Sequence, residues 1–240
     1  MIRFYCPDIA TSPEMPETES GHCVRVLRHQ PGDVFEVIDG KGMLYEVRLT
    51  DAHPKHACVE IVKSRKITSY WKGKLVLGVA PTKMMDRMEW LVEKATEVGF
   101  DEFVPLLCRF SERKEIKCER LEKTAVSAMK QSLKASLPYI GKMTPVMQFI
   151  EQYKDFPQKY VAHCVDDDTR KLLSKEYNPG ADTVILIGPE GDFSKEEIAA
   201  ALDAGYVPVS LGDARLRTET AALTALQTFH IKSQISSCNP

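Results

Sequence analysis

Two short segments of the chain combine glycines with charged and hydroxyl side chains, which is the composition that ligand binding and catalysis require. The first reads Ile187-Gly188-Pro189-Glu190-Gly191-Asp192-Phe193-Ser194. The second reads Ser210-Leu211-Gly212-Asp213-Ala214-Arg215-Leu216-Arg217-Thr218-Glu219-Thr220-Ala221. Glycines let the backbone approach a ligand closely. Arg217 offers a permanent positive charge to a developing anion, and the carboxylates of Glu190 and Glu219 are able to accept a proton.

Phosphate binding is not favoured at these segments. Neither matches G-x-G-x-x-G or the P-loop, and no lysine follows the glycines of the first segment. A ligand with an adenine and without phosphate fits them better, because backbone groups can bind the base edge while Leu211 and Leu216 cover its faces. Turns of the strand–glycine–helix kind also serve packing alone, so the spacing by itself leaves a purely structural role open.

Each glycine segment is predicted to follow a strand and to precede a helix. Apolar residues 184–187 precede the first segment and 207–211 the second, and a helix is predicted over 218–232. Ser194 with Glu197 three residues later is the pattern of a capping box, which predicts a helix that ends before Gly205. Ligands of open α/β sheets bind where strands end, so both segments are placed for binding.

Further strands and helices alternate upstream, which predicts a parallel α/β sheet from about residue 73 onward. Residues 75–79 are continuously apolar, as in a strand buried on both faces. A helix over 84–98 closed by Gly99, a strand over 103–107, a charged helix over 115–136 and a strand over 160–165 follow.

The first 72 residues have a different pattern. Strands are predicted over 34–38, 43–49 and 57–62, with a turn at Asp39-Gly40-Lys41-Gly42 and no helix of core length between them. Short strands at this spacing favour a small β-barrel or sandwich. The sequence therefore predicts two domains, 1–72 and 73–240.

Charge is distributed unevenly along the chain. Its 240 residues include 32 basic and 34 acidic ones, for a net charge of −2, which excludes only a uniformly basic nucleic-acid binder. Residues 63–74 nevertheless carry +5 with Tyr70 and Trp71 among them, and residues 109–134 carry +4. Such patches favour contact with RNA, although each is also compatible with an ordinary solvated surface.

Cysteine usage and the termini predict a cytoplasmic protein. Seven scattered cysteines without a C-x-x-C pair indicate free thiols in a reducing compartment. No signal peptide or membrane-spanning segment is expected. His53, His56 and Cys58 lie close in sequence, but a fourth ligand is not evident, so no metal is expected.

The two glycine segments, taken together, resemble the cofactor-binding signature of SPOUT-class methyltransferases, and more narrowly the family that methylates N3 of a uridine in 16S ribosomal RNA. The family pattern is approximately I-G-P-E-G-G-F-S followed by S-L-G-x-R-I-L-R-T-E-T-A. Residues 22–28, 94–99, 111–113 and Gln131-Ser132 with Leu137-Pro138 resemble other regions of that family in the expected order. The chain departs from the pattern at Asp192, Ala214 and Arg215, and also at Lys134 and Ala135.

The resemblance implies an N-terminal PUA-like, RNA-binding β-barrel and a C-terminal SPOUT domain with a trefoil knot. It also implies S-adenosylmethionine (SAM) as cofactor, 16S rRNA of the small ribosomal subunit as substrate, and a homodimer. Three groups of site residues follow. The catalytic candidates are Arg217 and Glu219; the cofactor-binding candidates are Ile187, Gly188, Glu190, Gly191, Leu211, Gly212, Leu216 and Thr218; the RNA-binding candidates are Arg25, Arg28, Arg65, Lys66, Lys83 and Arg113.

Two other functions remain open from the sequence. A SPOUT enzyme that methylates a ribose 2′-hydroxyl has a similar glycine–glutamate–glycine loop, and a non-catalytic RNA-binding module would share the basic patches. The identity of the general base also stays open, because Glu219 is equally suited to capping or orienting the last helix.

Overall fold

The structure, a computed structural model, describes residues 2–165 and 169–238. The acidic run 166–168 and the side chain of Cys238 lie outside the described residues. The chain forms two compact units. The first comprises the chain up to Ser69 together with Val126–Leu137, and the second comprises Tyr70–Ala125 and everything from Pro138 onward.

The first unit is built on a four-stranded sheet. Its strands are β1 (Arg3–Tyr5), β2 (Val34–Ile38), β3 (Met43–Asp51) and β4 (Cys58–Lys66), in that order across the sheet. β1 and β2 are parallel, and the other neighbouring pairs are antiparallel. The three predicted strands are confirmed. The sequence did not predict β1 or the short helix α1 (Glu17–Gly21), which precedes β2 and continues into a π-helical turn over His22–Val26.

The β2–β3 hairpin shows why this segment folds as predicted. Tyr45, Val47 and Leu49 are buried while Glu46 and Arg48 between them are exposed, which is the alternation of a strand with one face on a core. The turn is held by Asp39, whose Oδ1 accepts hydrogen bonds from the N–H groups of Lys41 and Met43 at 2.7 and 3.0 Å.

The second unit contains an eight-stranded sheet whose described pairings are all parallel, which confirms the predicted α/β class. Its strands are β5 (Leu75–Val79), β6 (Glu102–Leu107), β7 (Tyr139–Ile140), β8 (Thr144–Pro145), β9 (Gln158–Ala162), β10 (Lys171–Leu172), β11 (Thr183–Ile187) and β12 (Val207–Ser210). Their order is β10-β12-β9-β11-β5-β6-β7, with β8 paired to β6. Every residue of β5 and β11 is buried, as their apolar sequences predict.

Helices alternate with these strands. They are α2 (Met85–Val98), α3 (Cys118–Gln131), α4 (Val146–Gln152), α5 (Leu173–Glu176), α6 (Lys195–Asp203) and α7 (Thr218–Cys238). α2 ends at Gly99 as predicted, with φ at 109°. α3 is shorter than predicted, because Leu133 adopts a left-handed conformation and the Lys134 N–H donates to the carbonyl of Met129. A C-terminal stop of this kind normally carries glycine, so leucine gave no signal.

Candidate active site

Three strand ends meet at one edge of the sheet. β9 lies between β11 and β12, with Ala162 in register with Ile187 on one side and with Val209 on the other. Because these strands are parallel, the loops that leave their carboxyl ends lie side by side. The two glycine segments follow β11 and β12, and the loop that begins at His163 follows β9 between them.

The first glycine segment is closely packed at its glycines. A Cβ on Gly188 would lie 3.1 Å from the buried Phe193 ring, and a Cβ on Gly191 would lie 3.1 Å from Phe110 Cβ. Both distances are tighter than ordinary van der Waals contact, so these positions favour glycine. The segment turns at Asp192, whose N–H donates to the Pro189 carbonyl at 2.9 Å.

The capping box predicted at Ser194 is present and fixes the far end of this segment. Ser194 Oγ accepts from the Glu197 N–H at 3.2 Å, and Glu197 Oε2 accepts from the Ser194 N–H at 2.8 Å. The other oxygen, Oε1, accepts from the Arg109 N–H at 2.7 Å. Glu197 therefore ties the start of α6 to the loop that follows β6, a role that the sequence did not show.

The second glycine segment is exposed around Gly212. Gly212 has φ at 119°, and no atom lies within 4 Å of the position that a Cβ would occupy. Leu211 and Leu216 are half-buried. At the end of the segment the buried Thr218 hydroxyl donates to the Gly188 carbonyl at 3.0 Å. This hydrogen bond joins the two predicted cofactor segments.

The predicted catalytic residues are adjacent in sequence but differ in exposure. Arg217 is exposed, so its guanidinium is available to a substrate. Glu219 is only 6% exposed; its Oε1 lies 3.7 Å from Arg87 Nε, and Oε2 has no hydrogen-bond partner among the described residues. A buried carboxylate oxygen without a partner is costly, and a donor from a ligand or from ordered water would satisfy it. Sequence reasoning missed Arg87.

Lys83 and Arg113, both predicted to bind RNA, organise the segment that follows β5. Arg113 is half-buried; its Nε donates to the Thr82 carbonyl at 3.0 Å, and its Nη2 donates to the Lys83 carbonyl. The Lys83 N–H in turn donates to Glu190 Oε1 at 3.2 Å. Glu190 is otherwise exposed. The guanidinium of Arg113 thus supports the backbone that contacts the first glycine segment, while the Lys83 side chain is exposed.

The remaining RNA-binding candidates lie in the first unit and are exposed. Arg25 is in the π-helical turn, and Arg28 directly after it has φ at 60°, in the left-handed region. Arg65 and Lys66 end β4, which is an edge strand of its sheet. An edge position leaves their side chains and backbone groups accessible.

Trp71 is a packing residue rather than the free aromatic face that the sequence suggested. Its indole N–H donates to Asp101 Oδ2 at 2.9 Å, and its ring lies against Gly99 and at 5.5 Å from the His230 ring centroid. Tyr70 is 58% exposed but also contacts the rings of Trp71 and His230. In residues 63–74, the charged side chains are therefore more accessible to a ligand than the aromatic rings.

Cysteines Cys6, Cys23, Cys58, Cys108, Cys118 and Cys164 are free thiols. Burial raises the pKa of both Cys6 and Cys108 to about 12. In the described part of the chain no group of three or more His, Cys, Asp or Glu side chains is arranged for a metal ion. Within the same residues, no helix has the length and apolar character needed to cross a bilayer.

Comparison with known proteins decides the family. The family model described as RNA methyltransferase domain matches residues 69–230. The chain belongs to this family. A second model, RNA methyltransferase PUA domain, matches residues 16–62, which confirms the PUA-like character expected for the N-terminal region of this methyltransferase.

This RNA methyltransferase is similar to several known proteins over most of its length. It is 31% identical to ribosomal RNA small subunit methyltransferase E of Synechocystis, over 84% of this chain and 67% of the relative. A structure described as a probable rRNA-methyltransferase from Porphyromonas gingivalis superposes with a TM-score of 0.92 at 43% identity, covering 98% of this chain and 100% of that one. Ribosomal RNA small subunit methyltransferase E from Neisseria gonorrhoeae, solved with bound SAM, gives a TM-score of 0.82 at 25% identity over 96% and 97%.

Proposed function

We propose that this protein transfers a methyl group from SAM to N3 of a specific uridine in the 16S rRNA of the small ribosomal subunit. The observation that carries the proposal is the meeting of both glycine segments at the carboxyl edge of β9, β11 and β12, joined by the Thr218–Gly188 hydrogen bond. This edge belongs to a chain of the RNA methyltransferase family, with a relative solved in complex with SAM.

The residues at this edge fit the cofactor. No atom lies within 4 Å of the position that a Cβ on Gly212 would occupy, and the buried Oε2 of Glu219 has no hydrogen-bond partner within the described ranges. We assign SAM binding to Ile187, Gly188, Glu190, Gly191, Leu211, Gly212, Leu216 and Thr218. When bound there, SAM supplies an electrophilic sulfonium methyl, so the protein has to orient it and prepare the nucleophile.

Uracil N3 carries a proton at neutral pH, so its lone pair attacks poorly until that proton leaves. A base and a positive group are therefore required. We assign the positive group to the exposed Arg217, which stabilises the developing uridinate. Arginine is not itself the base, because its pKa exceeds roughly 12. We assign Glu219 to accept the proton, directly or through water, with Arg87 Nε 3.7 Å from its Oε1.

RNA binding is assigned to exposed cations of both units. Arg25, Arg28, Arg65 and Lys66 of the first unit offer their side chains to phosphates, as does Lys83 of the second. Arg113 donates hydrogen bonds to the carbonyls of Thr82 and Lys83, so we place it next to Lys83 at the border of the RNA site.

We extend the proposal to the organisation of the enzyme. We assign residues 1–72 to the RNA-binding PUA-like domain and residues 73–240 to the SPOUT domain with a trefoil knot; Val126–Leu137, within the second range, belongs to the first compact unit. The enzyme is a homodimer in the cytoplasm, and its free thiols are in keeping with a reducing compartment. Light scattering of the purified protein tests the dimer.

Cofactor titration and single-turnover methylation test the catalytic assignment. We expect Arg217→Ala to bind SAM with wild-type affinity in calorimetry and to transfer no detectable methyl group to small subunits. Arg217→Lys keeps the charge but loses the planar fork, so we expect partial activity. Full activity of Arg217→Ala contradicts the assignment. A wild-type protein that binds RNA but not SAM would instead be the non-catalytic module.

A further inference from the structure

Asp192 stands at the tightest turn of the first glycine segment, where the pattern that this segment resembles has glycine. Its φ is 64°, in the left-handed region that L residues rarely adopt. Aspartate is among the few residues that tolerate this region, because its short side chain can form local hydrogen bonds. Glycine would meet the backbone requirement without strain, so the carboxylate must have another use.

The carboxylate of Asp192 connects two loops. Oδ1 accepts from the N–H of Phe193 in its own segment at 2.9 Å, and Oδ2 accepts from the N–H of Cys164 at 2.8 Å. Cys164 belongs to the loop that follows β9. Bonds from N–H donors to a carboxylate are charge-assisted and stronger than neutral ones, so this bridge restrains both backbones.

The bridged loop occupies a decisive position in the sheet. β9 lies between β11 and β12, so residues 163–165, which directly follow β9, leave the carboxyl edge between the strands that lead into the two glycine segments. Thr218 joins those segments to each other directly, but it does not contact this loop in any described hydrogen bond. Without Asp192, the first glycine segment would lose a direct bond to its neighbour along the edge.

We propose that Asp192 is a positioning residue that fixes the backbone at Cys164, directly after β9, against the first glycine segment of the cofactor site. The inference rests on the proposed function, because that function places SAM at this edge. A glycine at position 192 allows the same turn but leaves the Cys164 N–H without the carboxylate acceptor. The aspartate therefore preorganises the site for SAM, at the expense of backbone strain that glycine would avoid.

Three substitutions separate the bridge from the strain. Asp192→Gly removes the carboxylate and relieves the strained φ, whereas Asp192→Ala removes the carboxylate and keeps the strain. Asp192→Asn tolerates the left-handed conformation and retains a single acceptor oxygen. Asp203→Asn is the matched control, since Asp203 is exposed at the opposite end of α6.

Two measurements follow on each protein. Amide hydrogen exchange, recorded without cofactor, reports the Cys164 N–H, and we expect it to accelerate about ten-fold in Asp192→Gly and less in Asp192→Asn. Calorimetry with SAM should show a Kd about ten-fold higher for Asp192→Gly, with an intermediate value for Asp192→Asn. In steady-state methylation KM for SAM should rise, while kcat at saturating SAM and KM for RNA stay near wild type.

The outcomes distinguish this inference from the proposed function. If Asp192→Gly equals or exceeds wild type in SAM affinity and only Asp192→Ala is impaired, backbone strain alone matters and the inference is overturned. Unchanged exchange at Cys164 in Asp192→Gly overturns the bridge itself. If the wild-type protein binds no SAM while Cys164 exchange still depends on Asp192, the proposed function fails and the bridge is a structural restraint without a role at a cofactor site.

Discussion

Removing the Thr218 hydroxyl tests whether one hydrogen bond holds the two glycine segments in their relative positions. In Thr218→Val the side chain keeps nearly its shape, but the Gly188 carbonyl loses the donor that lies 3.0 Å away. Both Thr218 and Gly188 are buried, so water cannot easily replace that donor. The carbonyl is left without this partner at the point where the second segment enters α7.

The expected cost is that of leaving a buried acceptor unsatisfied, about 1–3 kcal/mol. For a chain of this size, each kcal/mol lowers the melting temperature by about 2–4 °C. SAM binding should suffer as well, because the two segments have to present their backbone groups together. If about 1.4 kcal/mol of the loss falls on the bound conformation, Kd for SAM rises about ten-fold.

Calorimetric titration with SAM and thermal unfolding are the assays, and α7 supplies the control. Thr228→Val is the same substitution in the same helix, but its hydroxyl donates only to the Thr224 carbonyl one turn earlier, at 2.8 Å. The Thr224 carbonyl belongs to the backbone hydrogen-bond ladder of α7, so losing the bond from the Thr228 hydroxyl should cost little stability. Thr218→Ser should retain near wild-type affinity. Equal SAM affinity of Thr218→Val and Thr228→Val would refute the reasoning.

Four further predictions concern stability, thiol reactivity and RNA binding. Ser194→Ala should lower the free energy of unfolding by about 1 kcal/mol in urea titration through loss of the α6 cap, with no change in RNA affinity. Since burial raises the pKa of Cys6 and Cys108 to about 12, from a usual value of 9.0, both thiols should resist Ellman's reagent at pH 8 in the native protein. The stability contributed by keeping these two thiols protonated is complete below pH 9 and should be lost as the pH rises toward 12, as unfolding at several pH values will show. Arg28→Gly removes the guanidinium and relieves the left-handed φ, so any loss of RNA affinity is due to the missing guanidinium. We expect the slope of log affinity against log salt concentration to fall by about one, and an unchanged slope would exclude a phosphate contact.

Sequence patterns predicted those elements whose local residues determine them. The apolar runs gave β5 and β11 because strands buried on both faces need continuous apolar residues. Ser194 and Glu197 gave the start of α6 because both halves of a capping box are local. The glycine segments were located at strand ends for the same reason.

The contacts between distant segments could not be read in this way. Strand order across a parallel sheet depends on tertiary packing, so nothing local revealed that β9 lies between β11 and β12. Arg113 was interpreted from its charge, whereas its donors are directed at carbonyls thirty residues earlier in the chain. The π-helical turn over His22–Val26 has no residue pattern that distinguishes it from a loop.

The central claim is the transfer of a methyl group to N3 of a uridine in 16S rRNA, and mapping the methyl group tests it most directly. Small subunits from a strain that lacks this protein are incubated with the purified enzyme and SAM carrying a labelled methyl group, and the digested rRNA is analysed by mass spectrometry. The account predicts a single labelled nucleoside, a uridine methylated on the base at N3, and none with Arg217→Ala. A label on a ribose 2′-hydroxyl, or no label on the rRNA, would contradict it.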